Sequence, residues 1–232
     1  MVSTAPITVV IPARNESGTI SKVVHECMKS KLVREVIVSN NASTDDTALL
    51  ATKAGARVVN CSVPGFGATL KAGFSAAETK WVFKIDADIL NTQSHWIEDF
   101  WNTREREASL VSGQWPHDQQ YWAMTYFVIK PFVDRYFHGL KHVALLNSGM
   151  YLVDKSGIDF NKFGDGWGFD TAVHINALAK GYDIRVHEIE PVVDYLRPHS
   201  QYLKMAADTI DLLLDAAGLA TREENSKMPL SS

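Results

Sequence analysis

"ITVVIPARNESGTISKVVHECMKSKLVREVIVSNN", residues 7–41, decides how the rest of the chain is read. Two short β-branched runs, "ITVVIPA" and "REVIVSNN", enclose a stretch of helical periodicity, "ESGTISKVVHECMKS", opened by Glu16 and Ser17. The alternation continues outward. "STDDTALLATKAG" reads as a helix with Ser43 or Thr44 as cap, Asp45 and Asp46 in its first turn, and Gly55 at its end. "ARVVNC" is a third strand, "GATLKAGFSAAET" a helix and "KWVFKID" a fourth strand. Continuous apolar strands separated by helices predict an α/β fold with a mostly parallel sheet covered on both faces. Such sheets bind ligands outside the carboxyl ends of their strands. The polar motifs fall at those ends: Ala13–Glu16, Asn40–Ser43 and Asp86–Asp88.

Beyond residue 90 the pattern is mixed. "SHWIEDFWNTRERE" reads as a helix, "ASLVSGQW" as a strand, and "DQQYWAMTYFVIKPFVDRYFHGL" as a long aromatic helix kinked at Pro131. "ALLNSGMYLVDK" supplies one or two strands, and "KFGDGWGFD" opens the helix "DTAVHINALAKG". Strands in "YDIRVHEIEPVVDYL" and a closing amphipathic helix follow. We expect one domain over 1–220, with a nucleotide-binding half (1–90) and an acceptor-binding half (91–220), and a frayed tail over 221–232.

The bulk properties are those of an ordinary globular protein. Of 232 residues, 46% are apolar and 22% charged, and the net charge of −4 offers no global attraction to nucleic acid or anionic membrane. Cys27 and Cys61 lack metal-binding spacing and read as reduced, structural thiols. No uninterrupted apolar run has spanning length and no signal sequence is evident, so a cytoplasmic location is expected.

Chemistry concentrates in "VFKIDADIL", residues 82–90, where an apolar run ends in Asp86 and Asp88. The pair is either a solvated strand end or a site for a divalent metal and the phosphates it carries, with a bend expected between the two carboxylates. "VVIPARNES", "EVIVSNNASTDDT", "GFGATLKAG" and "KIDADI", in that order, resemble family 2 glycosyltransferases of the GT-A fold. The resemblance covers residues 6–90 and reappears at "GWGFDTAVHINALAKGYDI".

The resemblance implies transfer of a sugar, a hexose by expectation, from a nucleoside diphosphate donor, with UDP favoured over GDP. It implies Mn²⁺ or Mg²⁺ held by Asp88, with Asp86 on the metal, a metal-bound water or the ribose, and with His199 as a late ligand; His187 is the alternative. Pro12, Ala13 and Arg14 would line the nucleoside pocket, with Glu16 on ribose or base and Ala87 inside the acidic turn. Asn40 and Asn41 stand where relatives carry aspartate; they could read a base edge, or merely support a turn. Gly67 permits a close backbone approach, and Lys71 would reach base or phosphate unless it is simply solvated. Arg197 could meet a phosphate. Trp167 and Gly168 would present a flat surface to the acceptor. For an inverting reaction Asp170, with Asp165 second, would be the base, although Asp170 could equally cap its helix. The acceptor is a soluble small molecule, a saccharide or a hydroxymethylated base in DNA. A sugar nucleotidyltransferase and a non-catalytic sugar-nucleotide-binding module are the alternative readings.

Overall fold

In the computed structural model, residues 5–104, 108–116, 123–193 and 199–219 are described. The first unit is as expected: β1 (Ile7–Ala13), α1 (Ile20–Met28), β2 (Val33–Asn40), α2 (Thr47–Lys53), β3 (Arg57–Asn60), α3 (Phe66–Ala76) and β4 (Trp81–Ile85). The second part supplies α4 (His95–Thr103), β5 (Leu110–Gln114), α5 (Lys130–Tyr136), β6 (Met150–Asp154), α6 (Phe169–Ala179), β7 (Ile184–Glu188) and α7 (His199–Ala216). All seven strands form one sheet in the order β3-β2-β1-β4-β6-β5-β7. β6 runs antiparallel to both neighbours, and every other pairing is parallel. Both halves expected from the sequence therefore share a single sheet.

Every residue of β1 and β4 is buried, as the unbroken apolar runs require of central strands covered on both faces. Ile7, Val9, Ile11, Phe83 and Ile85 pack on one side with α1 and α4. Val10, Val82, Tyr151 and Val153 pack on the other with α3 and α6. Burying each such apolar side chain contributes about 1.5–3 kcal/mol. Helix α3 lies unusually close to β1, because a Cβ on Gly73 would come within 2.5 Å of Val10 Cγ1.

One boundary differs from the sequence reading. α1 begins at Ile20, because Glu16 instead closes a turn, its carbonyl accepting from Thr19 and Ile20. Around Pro131 the chain is helical without a break over 123–136, and a π-helical turn over Thr125–Ile129 directly precedes the proline; the start of the expected helix, before 123, lies outside the described residues. The wider π turn takes up the missing N–H and the bulk of the ring, which a regular α-helix interior would not accommodate.

The caps of α2 also depart from expectation. Ser43 Oγ accepts from Asn15 N–H, and Thr44 N–H donates to Asn15 Oδ1, at a residue whose φ is +58°. Asp46 holds the cap position without a side-chain bond, and Asp45 before it takes the first helical N–H. The Asp45 carboxylate accepts from Thr47 N–H and the Thr47 hydroxyl, and across the gap from Ser17 N–H. The β1–α1 and β2–α2 loops are thereby latched side by side at the carboxyl edge of the sheet. The Thr47 hydroxyl first, then Ser17, hold the Asp45 carboxyl down at about 2. A depressed carboxyl stabilises the fold above its unfolded pKa, and that contribution fades as pH falls through the folded value. The stability gap between wild type and Asp45→Ala should therefore be constant above about pH 5 and shrink between about pH 4 and 2, read from urea midpoints at each pH.

Candidate active site

The loops after β1, β2, β3 and β4 gather at one edge, and the reversed β6 brings its start there too, Met150 pairing with Ile85. β4 ends at Ile85 and the chain turns at Ala87–Asp88, the bend expected between the carboxylates. Asp88 is buried at 7% exposure and Ala87 at 3%. The turn is fastened from the far side: Leu90 N–H donates to the Val193 carbonyl at 2.8 Å, and Asn91 Nδ2 to the Pro191 carbonyl at 2.9 Å. Segment 191–193 thus runs beside the acidic turn and leads into 194–198, which lie outside the described residues, Arg197 among them. His199 opens α7, but its side chain also lies outside the description. His187 is placed away from the turn, on β7, its Nδ1 2.8 Å from Thr103 Oγ1 of α4.

Beneath the turn lies a residue that the sequence reading passed over. Lys84 sits two residues before Asp86 on β4 and points to the same face of the sheet, as residues i and i+2 do. It is fully buried. Its Nζ lies 2.7 Å from Asp170 Oδ2 and 2.8 Å from Asp86 Oδ1. The contact with Asp86 is Coulombic rather than aligned, so Oδ1 is buried without a hydrogen bond among the described residues. The rings of Phe66 and Tyr151 face the ammonium at 5.1 and 5.8 Å. Burial works against the charge, but Asp170 and Asp86 outweigh it and hold Lys84 above the usual lysine range. Burial raises the Asp170 carboxyl; Lys84 opposes that rise and Asp86 reinforces it.

The polar chain continues across the sheet. Tyr151 OH donates to Asp170 Oδ1 at 3.1 Å, and burial lifts this phenol well above its normal range. His174 bridges the Asp170 carbonyl and Ser112 Oγ, and burial pushes it down to about 4, leaving it neutral near pH 7. Both oxygens of Asp170 are thus engaged, by Lys84 and Tyr151, at 5% exposure. That arrangement anchors the start of α6; it does not present a free carboxylate to an acceptor hydroxyl.

Several expected ligand contacts are instead contacts within the chain. Asn41 Nδ2 donates to the Cys61 and Val63 carbonyls, and its Oδ1 accepts from Gly65 N–H. Asn40 Nδ2 donates to Asn60, and its Oδ1 accepts from Ser43 N–H. These amides hold loops, the turn-supporting role. A Cβ on Gly67 would come within 2.3 Å of the Gly164 carbonyl, and one on Gly65 within 2.2 Å of the Asp165 carbonyl. The close approach is to the chain's own loop. Gly67 N–H donates to the Asp165 carbonyl at 2.9 Å, Lys71 pairs with the Asp165 carboxylate at 2.8 Å, and Phe66 stacks on Trp167 at 4.9 Å. Lys71 and Asp165 therefore neutralise each other, and one face of Trp167 is occupied. Gly168 packs against Leu212 of α7. Pro12 and Ala13 are buried at the end of β1, Arg14 is exposed, and Glu16 is half-buried with its N–H on Thr47 Oγ1.

A hard divalent cation fits the acidic turn. The donors are the carboxylate oxygens of Asp86 and Asp88, two hard anionic groups brought into one turn, with Asp86 Oδ1 itself against Lys84. No three metal-binding side chains cluster among the described residues. That suits an ion bound through one or two carboxylates, with substrate phosphates and water completing its shell.

The chain belongs to glycosyl transferase family 2, whose model matches residues 8–164. It is 43% identical over 82 residues to an uncharacterized glycosyltransferase of Mycobacterium tuberculosis, covering 35% of this chain and 36% of that one. It is 38% identical over 95 residues to glucosyl-3-phosphoglycerate synthase of the same organism, covering 37% and 29%. These alignments span about a third of the curated relatives' length. The fold match is longer. Crystal structures of the M. tuberculosis glucosyl-3-phosphoglycerate synthase superpose with a TM-score of 0.85 at 25% identity, over 94% of this chain and 82% of that one. One holds Mn²⁺, UDP and glucosyl-3-phosphoglycerate, and another Mn²⁺, UDP-glucose and phosphoglyceric acid. The single α/β domain is accordingly of the GT-A type.

Removing one partner from a buried ion pair leaves the other charge uncompensated, at a cost of about 3–5 kcal/mol. Asp170→Asn should lower stability by about 3 kcal/mol in urea unfolding, since Lys84 keeps only Asp86. A variant as stable as wild type would contradict the ion pair.

Proposed function

We propose that this protein is a divalent-metal-dependent glycosyltransferase that moves a hexose from a UDP-sugar to a hydroxyl of a small soluble acceptor. The observation that carries this reading is the buried acidic turn, Asp86–Ala87–Asp88, at the carboxyl edge of a family 2 sheet. The Mn²⁺, UDP-glucose and phosphoglyceric acid held by the fold neighbour support the metal, the donor class and a small acceptor. A net charge of −4 argues against a DNA acceptor.

Asp88, with Asp86 beside it, would hold the cation, which neutralises the charge that develops on the departing diphosphate. The end of β1, from Pro12 to Arg14, forms the wall on which the nucleoside rests, with Glu16 at its rim. Because the Asn40 and Asn41 side chains are spent on loop contacts, the base is met by backbone and by Arg14 or Glu16. Lys71 would engage phosphate by exchanging Asp165 for it, and Trp167 offers the acceptor only the face that Phe66 leaves open. Asp170 keeps α6 in place; the reaction draws on it as an anchor, not as a base. No helix among the described residues is long and apolar enough to cross a membrane, in keeping with a small water-borne acceptor.

A nucleotide-sugar panel read by thermal shift with Mn²⁺ tests the proposal. Ligand at 100 times its Kd adds about 2.7 kcal/mol, which for a domain of this size raises Tm by about 5–10 °C. UDP-hexoses should give this shift and GDP-sugars a smaller one, and Asp88→Ala should lose the metal-dependent part. Donor binding without turnover toward phosphoglycerate, glycerol phosphate or saccharides would favour a non-catalytic binding module. Turnover only with DNA, weakening as salt rises, would overturn the small-acceptor assignment.

A further inference from the structure

Helix α7 is held to the domain along one side. Thr209 and Leu213 are buried. Asp208 and Leu212 face the glycine-rich loop: Asp208 Oδ2 accepts from Trp167 N–H at 3.2 Å, and a Cβ on Gly168 would come within 2.9 Å of Leu212 Cδ2. A second apolar stripe, Leu203, Ala207, Ile210 and Leu214, recurs at the four- and three-residue steps of a helix face. Steps of about 100° per residue place it on the side of α7 away from Asp208 and Leu212. Leu203 is 74% exposed, and Ala207, Ile210 and Leu214 are half-buried. The π-helical turn Thr125–Ile129 packs beside α7 and carries Phe127, 80% exposed. Among the described residues, Phe127 and Leu203 are the two most exposed large apolar side chains. Apolar surface gathered in this way marks an interaction face.

We infer that this stripe is a self-association surface, on which α7 of a second copy packs antiparallel about a two-fold axis near Ile210. The charges beside the stripe select that partner and that direction. Lys204 lies six residues before Ile210 and Asp215 five after it, both exposed and on the same flank of the stripe. At about 1.5 Å of rise per residue they stand about 9 and 7.5 Å from the axis, on opposite sides of it. A two-fold axis across the helices therefore sets each copy's Lys204 against the other's Asp215, twice per dimer. A parallel pair would bring no such counter-charge to Lys204, and an anionic lipid surface would be repelled by Asp215. A single helix pair falls below the roughly 1,600 Å² of a standard interface, so the dimer is weak and concentration-dependent. Because Asp208 and Leu212 face the other way, pairing leaves the 166–168 loop in place and braces the helix on which it rests. Nothing in this pairing requires a sugar donor or a metal.

Sedimentation equilibrium of the full chain between about 1 and 200 µM, the range in which a weak interface titrates, tests this. Wild type should pass from monomer to dimer, and Leu203→Glu should stay monomeric. Lys204→Glu and Asp215→Lys each turn two attractive contacts into two repulsive ones, and each should weaken dimerisation about tenfold or more. Lys204→Glu combined with Asp215→Lys restores the pairing with its signs reversed, and should return the dissociation constant to within about threefold of wild type. All three side chains are exposed, so the variants should fold, as unchanged far-ultraviolet circular dichroism would show. A wild type that is monomeric throughout would overturn the inference and leave the stripe to the chain's own 220–232 or to a lipid surface. A dimer that survives Leu203→Glu would overturn it too, as would a double variant that stays as weak as the single ones.

Discussion

A buried ammonium between two carboxylates is the constraint on which the site depends. Taking Lys84 out of water costs several kcal/mol, and only close counter-charges can offset that. Asp86 and Asp170 supply them from positions 84 residues apart in the chain, so the lysine can be satisfied only when β4 and α6 have come together. Apolar packing on that face tolerates many small shifts; an ion pair at 2.7 Å does not. The sheet and α6 thus acquire a defined register at the carboxyl edge. Tyr151 and His174 extend this order across β6 to β5, and each is held in its neutral form by burial.

A second restraint ties the same two regions from above. The 164–168 loop reaches the start of α3 through backbone hydrogen bonds, the Lys71–Asp165 pair and the Phe66–Trp167 stack. The glycines at 65 and 67 exist for this approach, since any side chain there would strike the facing carbonyls. The two ties differ in kind. Lys84 is dry and carries charge that cannot be rearranged without cost. Lys71 and Asp165 are partly solvated, the aspartate more than half exposed, and such pairs contribute little in water. The lower tie is therefore the more rigid of the two, and the upper one can exchange its partners at little cost.

The fold was legible because periodicity and strand composition carry it: "ITVVIPA", "REVIVSNN" and "KWVFKID" become β1, β2 and β4 almost residue for residue. The acidic turn was legible for the same reason, since Asp86 and Asp88 mark the end of a buried strand. The roles of individual polar residues were not. Asn40, Asn41, Lys71 and Asp170 occupy the expected edge, but their partners lie 19 or more residues away or are backbone atoms, which a motif does not display. Lys84 did leave a signal. A lysine between Phe83 and Ile85 in a strand covered on both faces must either have a buried counter-charge or break the strand, and the nearest candidate, Asp86, is two residues away on the same face.

The charges at this edge also bear on how an acidic pocket can bind a dianionic donor. Asp86, Asp88 and Asp170 would together repel a diphosphate, and a metal bound tightly by all three would hold on to the product. Lys84 cancels part of that negative charge from inside, where it is neither screened by salt nor displaced by substrate. The negative charge left at the turn is then smaller than its three carboxylates alone would give. The internal ion pair thus lowers the repulsion that a diphosphate would meet at this edge, without placing a side chain where the diphosphate would sit.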